Sequence, residues 1–180
     1  ERAGFNLISL ANNHMGDAGE AGVRDTEQHL ARLARTRPIH WAGAGSGQDT
    51  VIFQMPGHGQ TIACLAWGNE PNVAEFKEEE PELALETVRK AAAQADIVIV
   101  SVHGGTEYRH VPSPELTRAY RLLIDAGATV VLGHHPHVAQ GVEVHGNGLI
   151  FYSLGNYSPS SETVRHRATG ASLFGLLPTI

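Results

Sequence analysis

Histidine supplies 11 of the 180 residues. Several of the eleven sit beside asparagine, glycine or another histidine. Three short stretches stand out: Asn12-Asn13-His14, His103-Gly104-Gly105 and Gly133-His134-His135-Pro136-His137. Neutral imidazole binds metals such as Zn, Fe, Ni or Mn, and carboxylate or amide oxygen completes the shell. His135 and His137 are two residues apart, so in an extended segment both side chains face one way and can meet a metal pair. Gly133 lets the backbone turn sharply just before them. Asn13 offers a carbonyl oxygen as a ligand, and the adjacent His14, left unligated, is placed to donate a proton to a leaving group. A metal pair activates a bridging water and stabilises charge on a phosphate-like centre.

Other polar residues have plainer readings. His40, His58, His110, His145 and His166 read as polar loop residues, and His29 falls on the charged side of a helix. Asn12-Asn13 is also a turn signal, because asparagine tolerates left-handed backbone. Asp17 is a candidate helix cap as well as a pocket residue. Glu107 and Tyr108 fit an ordinary loop. Cys64 reads as a small core residue, and Trp41 and Trp67 as packing residues.

The elements that must position the histidines follow from periodicity. Residues 5–10, 97–102 and 129–132 are short apolar runs and read as strands, the latter two buried on both faces. Residues 51–55 and 61–67 bracket Pro56-Gly57-His58-Gly59 as a hairpin. Residues 142–144 and 149–153 flank Gly146-Asn147-Gly148, another hairpin. Helices are expected over 22–35, with Val23, Leu30, Leu33 and Ala34 on one face, and over 81–95 and 113–126, each with an early proline. Residues 68–81 form an acidic excursion, and Glu78-Glu79-Glu80 reads as a solvated surface. The pattern is α/β, in which ligands gather beyond the C-terminal ends of parallel strands. Three strand ends then deliver histidine to one side of a sheet.

Composition narrows the function. With 19 acidic and 13 basic residues the net charge is -6, and no basic cluster offers a nucleic-acid face. A single cysteine excludes an internal disulfide framework and a cysteine zinc cluster. Apolar runs are too short to cross a bilayer. There is no P-loop, no Gly-x-Ser-x-Gly elbow and no His-Glu-x-x-His. The chain begins at Glu1 almost directly on a strand, as expected of a piece of a longer protein.

Six ordered motifs carry a family resemblance. They are Ser9-Leu10-Ala11-Asn12-Asn13-His14, Asp17-Ala18-Gly19, Gly43-Ala44-Gly45, Ser101-Val102-His103-Gly104-Gly105-Thr106-Glu107-Tyr108, Gly133-His134-His135-Pro136-His137-Val138 and Tyr152-Ser153-Leu154-Gly155-Asn156-Tyr157. In order and spacing the chain resembles the CapA family of poly-γ-glutamate capsule biosynthesis proteins, within the calcineurin-like metallophosphoesterase superfamily. Gly104 departs from the pattern, since many members carry Trp there. The resemblance implies a single domain over 1–180, a four-layer α/β/β/α sandwich incomplete at its N-terminus. It implies Asn13, His103, His135 and His137 as metal ligands and His14 acting on the leaving group. The neighbouring His134 leaves the register of the last pair open, and the i, i+2 spacing favours His135 and His137. Asn12, Asp17, Glu107, His134 and Asn156 are expected near the pocket. Two divalent transition metals (Mn, Fe or Zn) are implied in the full-length protein, with acidic ligands from an upstream segment. The implied activity is hydrolysis of phosphoesters; the alternative is a non-catalytic capsule-assembly or polymer-binding component. A small-molecule or polymer substrate, a membrane synthase partner and the outer face of the cell membrane complete what the resemblance implies.

Overall fold

A computed structural model describes residues 4–45, 49–69, 75–157, 164–169 and 175–178. Part of the acidic excursion, residues 70–74, lies outside them. A six-stranded sheet dominates, in the order β3 (Thr50–Gln54), β4 (Thr61–Gly68), β5 (Ile97–His103), β6 (Val130–His134), β8 (Gly148–Phe151) and β7 (Val142–His145). β4, β5, β6 and β8 run parallel. Antiparallel hairpins close the two edges, β3 on β4 and β7 on β8, as their turn sequences predict. Helices α2 (Glu82–Ala92) and α3 (Pro114–Asp125) supply the parallel crossovers and cover one face.

Strand β1 (Leu7–Ser9) is not part of that sheet. It pairs in parallel with β2 (His40–Ala42) in a two-stranded sheet of its own. The expectation of three histidine-bearing strand ends in one sheet is therefore corrected: two come from the large sheet and one from the small sheet facing it. Helix α1 (Gly19–Ala34) starts three residues earlier than its periodicity suggests and packs Leu30 against Leu10, Ile8 and Trp41 on the outer face of β1–β2. The layers are α1, β1–β2, the six-stranded sheet, and α2 with α3. This is an α/β/β/α sandwich.

Two further cores hold the layers together. Between the large sheet and its helices lie Leu65, Val88, Val100, Val102, Tyr120 and Leu123, all fully buried. Away from the histidines, the apolar contact between the two sheets is made by small groups, Ala11, Ala42 and Ala66, with Val51 beside them. Gly43 (φ +96°) makes this approach possible, because a Cβ there would stand 2.7 Å from the Ala11 side chain. Gly133 is likewise required, for a reason other than the sharp turn expected. It lies inside β6, where a Cβ would collide with the carbonyl of Tyr152, the residue just after β8.

Side-chain alternation aims the histidines. On β5, Val98, Val100 and Val102 face the helices, so Ser101 and His103 face the small sheet. Ser101 Oγ donates to Ser9 Oγ of β1 at 3.1 Å, a direct link between the sheets. His134 stands opposite His103 in the parallel register and shares its face.

Three histidines read as loop residues lie in elements instead. His40 is in β2, its ring stacked on Phe53 at 3.9 Å. His145 ends β7, with Nε2 2.9 Å from Asp125. His166 falls within α4 (Val164–Thr169). Glu78 is not simply solvated: half-buried, it accepts a hydrogen bond from Ser113 Oγ at 3.4 Å. Burial, then the neighbouring Glu79 charge, raises its pKa. Cys64 and Trp67 are buried, and the partly buried Trp41 packs against the cluster under α1, as expected of packing residues.

Candidate metal centre

The face between the two sheets gathers a compact donor set. Asn13 follows β1, His103 ends β5, and His135 follows β6. His103 Nε2 lies 3.1 Å from Asn13 Oδ1 and 3.3 Å from His135 Nδ1. One imidazole nitrogen carries either a proton or a lone pair, so a single proton must serve three heteroatoms here. A cation would satisfy all three lone pairs at once. Donors about 2.1 Å from an ion at tetrahedral to octahedral angles stand about 3.0–3.4 Å apart, and both observed separations fall in that window. The set fits one divalent ion. Among the described residues, no three His, Cys, Asp or Glu side chains are grouped to hold a metal by themselves; this cluster is two imidazoles and an amide.

His137 stands beside the cluster, its ring centre 6.2 Å from that of His135. Its Nδ1 lies 3.0 Å from Asn156 Oδ1. An amide oxygen accepts only, so Nδ1 carries a proton and donates it to Asn156. Tyr108 stacks on the ring at 5.7 Å. The expected extended geometry is corrected here: His135 (φ 95°) and His137 (φ 62°) are both left-handed, as is Tyr108 (φ 62°). The two imidazoles meet the same cavity through a contorted backbone, not through strand alternation. The backbone N–H of Tyr108 donates to the Pro136 carbonyl at 2.8 Å and ties the two histidine loops together.

His14 is exposed, and its Nδ1 lies 2.9 Å from Asp17 Oδ2. Asp17 does not cap α1, whose N-cap Ala18 makes no side-chain cap bond. Instead it orients His14. Asn12 closes the turn that presents both: its Oδ1 accepts the His14 backbone N–H at 2.9 Å, and its Nδ2 donates to the Leu10 carbonyl. The turn reading and the pocket reading of Asn12 hold together, since it also lines the cavity.

Burial is the main electrostatic force at the site. It lowers the pKa of His103 to about 3, assisted by the charge that His135 and the other neighbouring histidines would carry if protonated. Burial alone lowers that of His134 to about 4. Both rings are neutral at physiological pH, the form that binds metal.

Two cavities open on these residues. One of about 240 Å³ is lined by Asn12, His103, His134, His135, His137 and Asn156. The other, about 140 Å³, is lined by Asn13, Asn69, His103, Gly104, Gly105 and His135. Of the residues expected near the pocket, Asp17 and Glu107 border neither, and His14 lines neither as well. Sequence reasoning missed Asn69, which follows β4, and Ser9. Asn69 was legible by the same strand-end rule, because β4 is parallel to β5, but it carries no histidine to draw notice.

Residues 1–159 match the family described as "Bacterial capsule synthesis protein PGA_cap". The chain is 34% identical over 171 residues to "Capsule biosynthesis protein CapA" of Bacillus anthracis, covering 87% of this chain and 41% of that protein. It is 34% identical over 164 residues to "PGA biosynthesis protein CapA" of Bacillus subtilis (strain 168), covering 85% and 42%. A "Probable polyglutamine synthesis accessory protein" of Mycobacterium tuberculosis is 27% identical over 172 residues, covering 83% and 44%. The chain thus spans about two fifths of the length of the curated relatives it matches. On the extent of the family match, the ordered motifs and the sandwich that carries them, the chain belongs to the bacterial capsule synthesis family of CapA proteins.

Proposed function

We propose that this chain is the metal-binding part of a CapA-like capsule biosynthesis protein that hydrolyses phosphoesters with two divalent transition metals (Mn, Fe or Zn). The observation that carries the reading is the convergence of Asn13 Oδ1, His103 Nε2 and His135 Nδ1 within 3.1 and 3.3 Å. These three hold one metal. His137, its ring held by Asn156 and Tyr108, serves the second together with ligands from elsewhere in the full-length protein. Bound metal supplies an activated water and stabilises charge on the substrate oxygens. His14, oriented by Asp17, gives its proton to the leaving oxygen. The large sheet walls off one side and the small sheet the other, so the ester lies in the cleft between them. The full-length protein acts at the outer face of the cell membrane with a membrane synthase partner and a polymer or small-molecule substrate.

The test is made on the full-length protein. Metal content is measured by mass spectrometry and turnover with a chromogenic phosphoester. His135→Ala is expected to lose the bound metal and the turnover together. Retained turnover overturns the ligand assignment. Stoichiometric metal with no hydrolysis of phosphoester, peptide or γ-glutamyl bonds replaces this reading with a non-catalytic assembly component.

A further inference from the structure

The cavity of about 140 Å³ beside the candidate metal ligands is walled by asparagine, histidine and glycine; among the described residues no apolar side chain lines it. Gly104 is the position that holds it open. Its φ is not left-handed, so the backbone does not demand glycine there. Its N–H donates to the His134 carbonyl at 3.1 Å, a bond that any residue but proline would make. A Cβ at this position would stand 3.5 Å from Asn69 Nδ2 and 3.7 Å from Glu78 Oε1, which are ordinary contact distances. Gly133 is different, since a Cβ there would strike a carbonyl. Neither strain nor crowding therefore requires glycine at 104. What the missing side chain leaves is room on the cavity wall, beside an amide and a carboxylate.

Those two groups decide what the room accepts. Asn69 is exposed and lines the cavity, and its amide both donates and accepts. The Glu78 carboxylate accepts hydrogen bonds and repels a second anion. A hydroxyl both donates and accepts, so it answers both partners. An alkyl chain would strip water from the polar wall and return no hydrogen bond. The volume is below that of whole ligand sites, so the cavity suits one small group of a larger molecule. We propose that the notch at Gly104 is a specificity subsite that selects phosphoesters of hydroxylated alcohols, polyols or sugars, by placing a substrate hydroxyl against Asn69 and Glu78. Such selection presupposes the phosphoester centre proposed above and concerns the alcohol half of its substrate.

The test is calorimetric binding to the metal-loaded full-length protein, with dihydroxybutylphosphonate and butylphosphonate as probes. Both resist hydrolysis, and they differ only in the hydroxyls. The dihydroxy probe is expected to bind about fivefold or more tighter. Gly104→Leu, which fills the notch with an apolar group, is expected to bring the ratio to about one or below. Asn69→Ala keeps the space, removes the amide, and is expected to cut the preference to about twofold or less. Asn69 is exposed after β4, so this second variant spares the fold even where Gly104→Leu does not. Equal affinity for the two probes in the parent protein overturns the proposal. So does a preference unchanged by Asn69→Ala, or no binding of either probe up to about 10 mM. The expected preference in a protein that turns over no phosphoester supports the subsite and overturns only the hydrolytic reading. Turnover with equal probe affinities does the reverse.

Discussion

Two side chains near the candidate centre differ in what their loss should reveal. His14 is 73% exposed and makes its side-chain contact with Asp17, so replacing it should spare the fold and the metal. On the proposed mechanism, His14→Ala is expected to lower kcat by about 10²-fold with metal content unchanged. Asp17→Asn is expected to cause a smaller drop in kcat, because Asp17 is a positioning residue that acts through His14. Steady-state kinetics alongside metal analysis on the full-length protein would check both. The histidines themselves were legible in the sequence, because a strand end followed by Gly or Asn marks where ligands gather. Their backbone was not. His135 and His137 adopt left-handed angles that nothing in the His-Pro-His sequence announces, since only the packing of the two loops against each other stabilises them.

Helices α2 and α3 were readable because proline marks their starts and apolar periodicity their buried faces. Ser113 caps α3: its Oγ accepts the Leu116 N–H at 3.0 Å while donating to Glu78. Ser113→Ala is expected to cost about 1 kcal/mol of stability, read as a lower urea midpoint at unchanged slope. Strand β2 escaped notice because His40-Trp41-Ala42 is three residues long, too short for alternation to register. The separation of β1 from the large sheet was equally hidden. Periodicity reports which face of a strand is buried, whereas sheet membership is set by partners thirty or more residues away. The parallel order β4-β5-β6-β8 brings His103 level with His134, a register that no local pattern encodes.

At the scale of the whole molecule, pH couples the site to folding. His40, His103 and His134 all have pKa values lowered by burial, the last two to about 3 and about 4. An unfolded chain takes up protons at these positions below about pH 6.5, and the folded chain takes them up only at lower pH. Stability of the metal-free protein is therefore expected to fall as pH drops from 6.5 towards 4. Thermal melts across that range, with chelator present, would check the sign. The small sheet adds a consequence of its own. β1 and β2 pair through three residues each and meet the large sheet across a thin layer of alanines. Such a unit opens at lower free energy than the core around Tyr120 and Leu123. Amide exchange should accordingly be fastest in β1–β2 and slowest in β5 and β6. A divalent ion held by Asn13 on one side and by His103 and His135 on the other would act as a clasp. Its addition should slow exchange in β1 by raising the cost of that local opening, so that occupancy of the cleft is read out as the lifetime of the closed sandwich.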